Sequence, residues 1–405
     1  MAWLSIHPFA ADPGRARRRR VLTRAAVGVA ALAGLPGCST APGAQGSPTL
    51  HPDRRQAASS LRPAESSRLP GTSAALTGAP DDALALHLLN RLAWGPTQPD
   101  RDRLSALGVR RWIEAQLEPS SIELPAVLQG ELDSLGSIHG PHAPTLARFA
   151  ALQAEVLGAR TEAGRREAAR IELGSLIRTV QTEARRARIL RAVHSPRQLE
   201  EVLVDVWFNH FNVFAGKETV RVTAGFFESE AIRPHVLGRF RDLLGATARH
   251  PAMLNYLDNW QSVAAGFRIP PGTRLPDGFV SPRGLNENYA RELLELHTLG
   301  AQGGYEQDDV VELARILTGW SFDRRTPGPR DAFRFFPPRH DQGPKRLLGQ
   351  RVPGQGQQQG EWALDLLARH PSTARHVSTR LARAFVSDDP PQTLVARLAE
   401  VYQST

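Results

Sequence analysis

Beyond position 80 the apolar residues recur at three- and four-residue spacing, the period of one helix face. Leu84, Leu88, Leu89 and Leu92 predict a helix over 82–94 that Trp94-Gly95-Pro96 stops. Thr97, three residues before Asp100, reads as a capping-box-like start. Residues 103–117 carry Leu104, Leu107, Trp112, Ile113 and Leu117 in the same pattern, with a break at Gly108. The stretch 119–144 reads as loop with short turns. Residues 146–193, rich in Ala, Arg, Glu and Leu, predict long helices interrupted near Gly164. Further helices are expected over 196–211, 234–248, 251–260, 286–299, 307–320, 361–369 and 372–386. Residues 332–348 are the exception. Phe333, Phe335 and Phe336, then Leu347 and Leu348, flank a turn-rich stretch and predict a small β-hairpin. The fold class is therefore all-α, a multi-helix domain over 81–405 with one small hairpin. An amphipathic run at 394–401 stands just before Thr405, so the domain is expected to be C-terminally truncated.

One turn occurs twice. Asp242-Leu243-Leu244 leads to Ala248-Arg249-His250-Pro251, and Asp365-Leu366-Leu367 leads to Ala368-Arg369-His370-Pro371. In both, Pro opens a new helix, where its missing N–H is harmless, and His precedes it.

The residues upstream of 80 follow a different rule. Residues 1–37 hold six Arg and one Asp, a net of +5. The run Arg17-Arg18-Arg19-Arg20-Val21-Leu22 leads into a short Ala- and Gly-rich apolar stretch, then Leu35-Pro36-Gly37-Cys38. A basic region, a short apolar core and a small-residue site form an export signal and not a membrane span. The adjacent arginines resemble a twin-arginine (Tat) signal, and Leu35–Cys38 resembles a bacterial lipobox, with Pro36 departing from it. Cys38, the chain's single cysteine, is thus the expected lipidation point and membrane anchor, and Ser39 after it favours an outer-membrane lipoprotein facing the periplasm. Residues 38–80, rich in Ser, Pro, Gly, Ala and Thr, bury too little to order themselves and read as a flexible tether.

Dividing the chain this way changes the meaning of its charge. The formal net charge is +9, yet residues 81–405 hold 40 basic and 38 acidic side chains. The high pI belongs largely to the leader, so no nucleic-acid partner is expected. All basic residues but Lys217 and Lys345 are arginine. One cysteine excludes an internal disulfide and a Cys-rich metal site. No phosphate loop, dinucleotide fingerprint, nucleophile elbow or calcium loop is present.

Candidate chemistry lies in three stretches. Leu199, Val202, Leu203, Val206, Trp207 and His210 share one helical stripe, so His210 points inward, either as a core histidine or as a metal ligand. In residues 286–297, Glu287, Asn288, Arg291, Glu292 and Glu295 fall on one arc and Leu293, Leu296 and His297 on the other. The arc is either a solvated charged face held by i,i+4 pairs, or an acidic wall with Arg291 orienting Glu287 and Glu292. Position 293 is Leu, so this is no zincin motif. His250 opens a helix and is either a cap or a catalytic group.

Residues 89–97 (LNRLAWGPT), 207–213 (WFNHFNV), 250–259 (HPAMLNYLDN), 286–300 (NENYARELLELHTLG), 318–320 (TGW) and 370–375 (HPSTAR) together resemble the bacterial domain-of-unknown-function 1800 family. The resemblance runs from about 83 to 405 and implies an exported, mostly helical envelope protein, often encoded beside another Tat-exported family. It implies no catalytic residue. Two functions stay open. One is a binding or assembly role at the cell surface, with the membrane and a co-exported envelope protein as partners. The other is a metal-assisted, hydrolase-like enzyme, with His210 and His297 holding a divalent metal and Glu287, Arg291, Glu292 and His250 in the catalytic role.

Overall fold

The computed structural model describes residues 80–404, except 159, 270, 272–283, 326, 327, 329 and 330. The expected signal segment, Cys38 and all but the last residue of the tether lie outside the described residues.

Among the described residues the domain is all-α, with 15 helices and two small sheets. Three short helices come first: α1 (Asp82–Leu92), α2 (Gln98–Leu107) and α3 (Val109–Leu117). Asp81 caps α1 by accepting from the Leu84 N–H at 2.8 Å, and Thr97 caps α2 by accepting from the Asp100 N–H at 3.3 Å. These side chains satisfy N–H groups that a helix start leaves unpaired. Leu89, Leu104, Val109 and Trp112 close a small core among the three helices.

Residues 126–133, expected as loop, form α4 (Ala126–Asp133). Only Leu128 and Leu132 are buried in it, too few to show a helical period. Both pack against Ala187. The long helical stretch divides into α5 (His142–Leu157) and α6 (Ala163–His194). They run antiparallel, since Arg148 meets Glu172 and Arg165 meets Glu155.

The main core lies under the helices that follow: α7 (Gln198–His210), α8 (Val220–Phe226), α9 (Phe240–Arg249), α10 (Pro251–Tyr256), α11 (Asn288–Glu292) and α12 (Gln307–Ile316). Phe211, Phe227, Ile232, Leu244, Leu254 and Leu294 are fully buried there. Each such side chain contributes about 1.5–3 kcal/mol by leaving water. α6 and α8 cross closely: a Cβ on Gly225 would lie 2.6 Å from Ala184 Cβ, so only glycine fits there. Two π-helical segments interrupt the α pattern, Phe227–Ile232 after α8 and Leu293–Thr298 after α11.

The expected β region holds two antiparallel pairs. β1 (Trp320–Phe322) pairs with β2 (Phe333–Phe335), and β3 (Arg346–Leu347) with β4 (Gln350–Arg351). The aromatic run therefore pairs back with Trp320–Phe322, and Arg346–Leu347 turns on itself. Helices α13 (Gln357–Arg369), α14 (Pro371–Phe385) and α15 (Gln392–Ser404) finish the domain. The Tyr402 hydroxyl on α15 donates to the Ala368 carbonyl at 2.7 Å.

The repeated turn has the same solution twice. His250 Nδ1 accepts from the Ala252 N–H at 3.1 Å, and His370 Nδ1 accepts from the Ser372 N–H at 3.2 Å. In each case an imidazole acts as the helix N-cap.

Candidate functional site at the Glu230 junction

His142, Glu230 and His250 meet at one point, their nitrogen and oxygen atoms within 4.8 Å of one another. Three local structures bring them there. His142 is the first residue of α5, after Pro141 in extended conformation. Glu230 projects from the π segment Phe227–Ile232. His250 caps α10. Both imidazoles are buried, and the Glu230 side chain is 28% exposed.

Glu230 gathers donors. Its Oε1 accepts from the His142 backbone N–H at 2.8 Å, and its Oε2 from His142 Nδ1 at 2.6 Å. His250 Nε2 stands 3.7 Å from the same Oε2 and has no hydrogen-bond partner. The carboxylate thus closes the N-terminus of α5, where the helix dipole favours a negative charge. Burial works against that charge. The two imidazoles facing it outweigh burial and hold the Glu230 carboxyl down at about 2. His250 is itself shifted below its ordinary range, first by burial and then by His142, with Glu230 opposing.

Two imidazoles and a carboxylate are a familiar zinc donor set. The hydrogen bonds here do not fit one. A neutral imidazole has one lone pair on nitrogen. At His142 it faces the Ala332 N–H, 3.2 Å from Nε2. At His250 it faces the Ala252 N–H. The nitrogens turned toward Glu230 therefore carry protons. The 2.6 Å contact of His142 and Glu230 is also a hydrogen-bond length. Two ligands on a tetrahedral zinc stand about 3.3 Å apart. The arrangement is an ionised carboxylate held by N–H groups. It ties together α5, the π segment, α10 and the chain entering β2.

The other side of the same π segment carries a second buried charge network. Arg233 makes a bidentate pair with Glu201 at 2.9 and 2.8 Å and reaches Glu228 at 3.3 Å. Arg188 reaches Glu228 at 3.1 Å and also pairs with Asp205. Burial opposes the Arg233 charge, but the surrounding carboxylates raise its pKa.

The structure distributes the residues expected from sequence over three places. His250 is the one that belongs to the junction. His210 and His297 do meet, their ring centroids 6.3 Å apart, with His376 5.9 Å from His210. His210 Nε2 donates to the His297 carbonyl at 3.0 Å, and His376 Nε2 to the Leu296 carbonyl at 3.3 Å. These carbonyls belong to the second π segment, so the rings serve its backbone. The remaining His210 nitrogen, Nδ1, is buried without a partner. Burial, then the nearby His376 and Arg380, push His297 down to about 3. His210 is lowered too, first by burial and then by Arg380.

Glu287 and Arg291 pair on the exposed side of α11 at 3.2 Å, and both bond Gln307. Glu287 also borders an open hollow of about 320 Å³, lined with Asp258, Gln261, Leu285 and Asn286. Glu292 is half-buried, and burial followed by Glu295 raises its pKa. His142 and Glu230 carried no signal in the sequence: Glu230 lies 88 residues from His142 and among other acids.

Residues 87–405 match the model of the family described as "Protein of unknown function (DUF1800)". The chain belongs to that family. No curated protein and no solved structure matches it. No helix among the described residues is long and apolar enough to cross a membrane.

Proposed function

We propose that this protein is an exported cell-envelope lipoprotein, anchored through Cys38, whose helical domain binds or assembles at the membrane and does not turn over a substrate. One observation supports this most. The lone pairs of His142 and His250 are both committed to backbone N–H groups. The best-formed polar cluster then offers neither a base nor a metal ligand, and its chemistry is that of a structural tie. Glu287 and Arg291, the expected catalytic pair, engage each other and Gln307 at the surface.

Mass spectrometry of the protein purified from membranes tests the reading. A mature N-terminus at acylated Cys38 is expected. An unmodified Cys38 removes the anchor. The competing reading, a metal-assisted hydrolase, requires stoichiometric metal in that same preparation, lost together with activity when Glu230 is changed to Ala.

A further inference from the structure

α6 concentrates the positive charge of the domain. Its 32 residues hold eight Arg and three Glu, a net of +5. Residues 81–405 as a whole, with 40 basic and 38 acidic groups, stand at +2, so the rest of the domain is at −3. At about 100° per residue, Ile171 and Ile189 fall on one line and Val193 about 40° from it, with Arg178, Arg185 and Arg186 within about 60° and one acid, Glu167, at about 40° that pairs with Arg170. Arg178, Arg185, Arg186 and the three aliphatic side chains are exposed, the latter by 64%, 56% and 55%. The opposite face bears the buried Ala169, Val180 and Ala187. The helix is about 48 Å long. Between Ile171 toward one end and Ile189 with Val193 toward the other lie Ser175, Arg178, Thr182 and Arg185, so the face is a basic strip with exposed aliphatic side chains toward both ends, and Arg186 at its border pairs with Glu131.

We infer that this stripe rests on an anionic bilayer surface. The inference builds on the reading of the chain as a protein held at a membrane. Charge selects the occupant. A second copy laid antiparallel would set Ile171 against Ile189, but it would also crowd Arg178 and Arg185 of both copies together at its centre, and like charges repel there. Lipid headgroups supply negative charge along the whole stripe. Arginine stems lie along the apolar boundary while their heads stay among phosphates. The branched side chains enter between the acyl chains without any helix having to span the bilayer.

The test uses the full chain carrying Cys38→Ser, which has no thiol to acylate, and sedimentation with vesicles. Neutral phosphatidylcholine vesicles are compared with vesicles that also contain phosphatidylglycerol. The expected result is preference for the anionic vesicles, weakened by salt. Arg178→Glu with Arg185→Glu should lower that binding by about tenfold or more. Ile171→Asp with Ile189→Asp should lower it as well, and the melting curve of each variant checks its fold. Should the Asp pair unfold the protein, the exposed Arg pair still decides. Leader and tether are common to all variants, so the difference reports the stripe. Equal binding of the Arg variant and the parent overturns the inference. So does a dimer in solution that either pair breaks, or a soluble acidic protein that competes fully with the vesicles. Failure here leaves the acylation of Cys38 untouched, and an unmodified Cys38 leaves this measurement standing.

Discussion

His142 donates twice to Glu230, through its backbone N–H at 2.8 Å and its ring Nδ1 at 2.6 Å. One residue thus hands both of its donors to the two oxygens of one carboxylate. Glu230→Gln keeps the shape but replaces one acceptor oxygen by an NH2 that faces a donor. A loss of about 2–3 kcal/mol is expected, since hydrogen bonds to a charged group are the strong ones. Urea denaturation of the two proteins measures it. A loss below about 0.5 kcal/mol, the usual range of surface changes, would mean the junction is not a tie.

The tautomers at the junction lead to an expectation about metals. A ligand that binds the native state raises stability with its concentration. Zinc should bring no such gain, because binding would force both imidazoles to abandon backbone N–H groups. Melting curves in zinc and in chelator should coincide. A zinc-dependent rise in Tm that disappears in Glu230→Ala would contradict the assignment of protons at His142 and His250.

Acid should weaken the fold in two stages. His297 has a folded value of about 3 against an ordinary 6.5. Its neutral form contributes fully above about pH 6.5, and that contribution is lost as pH falls toward 3. Glu230, at about 2 against 4.5, likewise contributes above 4.5 and is lost toward 2. His297→Phe keeps a ring among Phe211 and Tyr289 and removes one titration. Below pH 6.5 its stability should fall less steeply, by up to about 1.4 kcal/mol per pH unit. Denaturation at a series of pH values gives both slopes, and equal slopes would exclude His297 as the source.

The chain's two lysines occupy similar cages. Lys345 is buried, its ammonium donating to the Asp341 carbonyl, to the Gly343 carbonyl at 3.0 Å and to Gln359 Oε1 at 2.9 Å. Lys217 donates to the Tyr256 carbonyl at 2.9 Å and to Asp258 at 2.7 Å. A compact ammonium suits converging carbonyls, whereas a planar guanidinium does not. Lys345→Arg should cost about 1–3 kcal/mol through overpacking, measurable by thermal melting. Unchanged stability would show that the cage tolerates either cation, and the arginine bias of the chain would then need no exception here.

The sequence carried most of the helices because their apolar residues repeat on one face. It also marked the helix start at His250 and the break near Gly164. It concealed α4, whose two buried leucines sit among Pro, Ser and Gly. The junction was hidden for another reason. His250 is visible as a cap, but what it faces is set by the packing of α5 and α8, elements far apart in the chain. The stripe on residues 199–210 turns His210 inward, and His297 lies on the apolar arc of 286–297; that the two rings meet depends on how these helices pack. That their N–H groups are used on π-segment carbonyls depends on backbone geometry that side-chain periodicity does not express.

The two π segments have a consequence of their own. A π turn closes its hydrogen bonds one residue later than an α turn, so it is an α-helix holding one residue too many. Within Leu293–Thr298 that surplus residue sets the direction of His297 and aims two carbonyls at His210 and His376. Deleting a single residue there would let the segment close as an ordinary α turn, and the carbonyls now aimed at His210 and His376 would turn away from them. Chain length in 286–300 is thus under as strict a constraint as composition, and a one-residue deletion should damage this domain more than many substitutions within the same stretch.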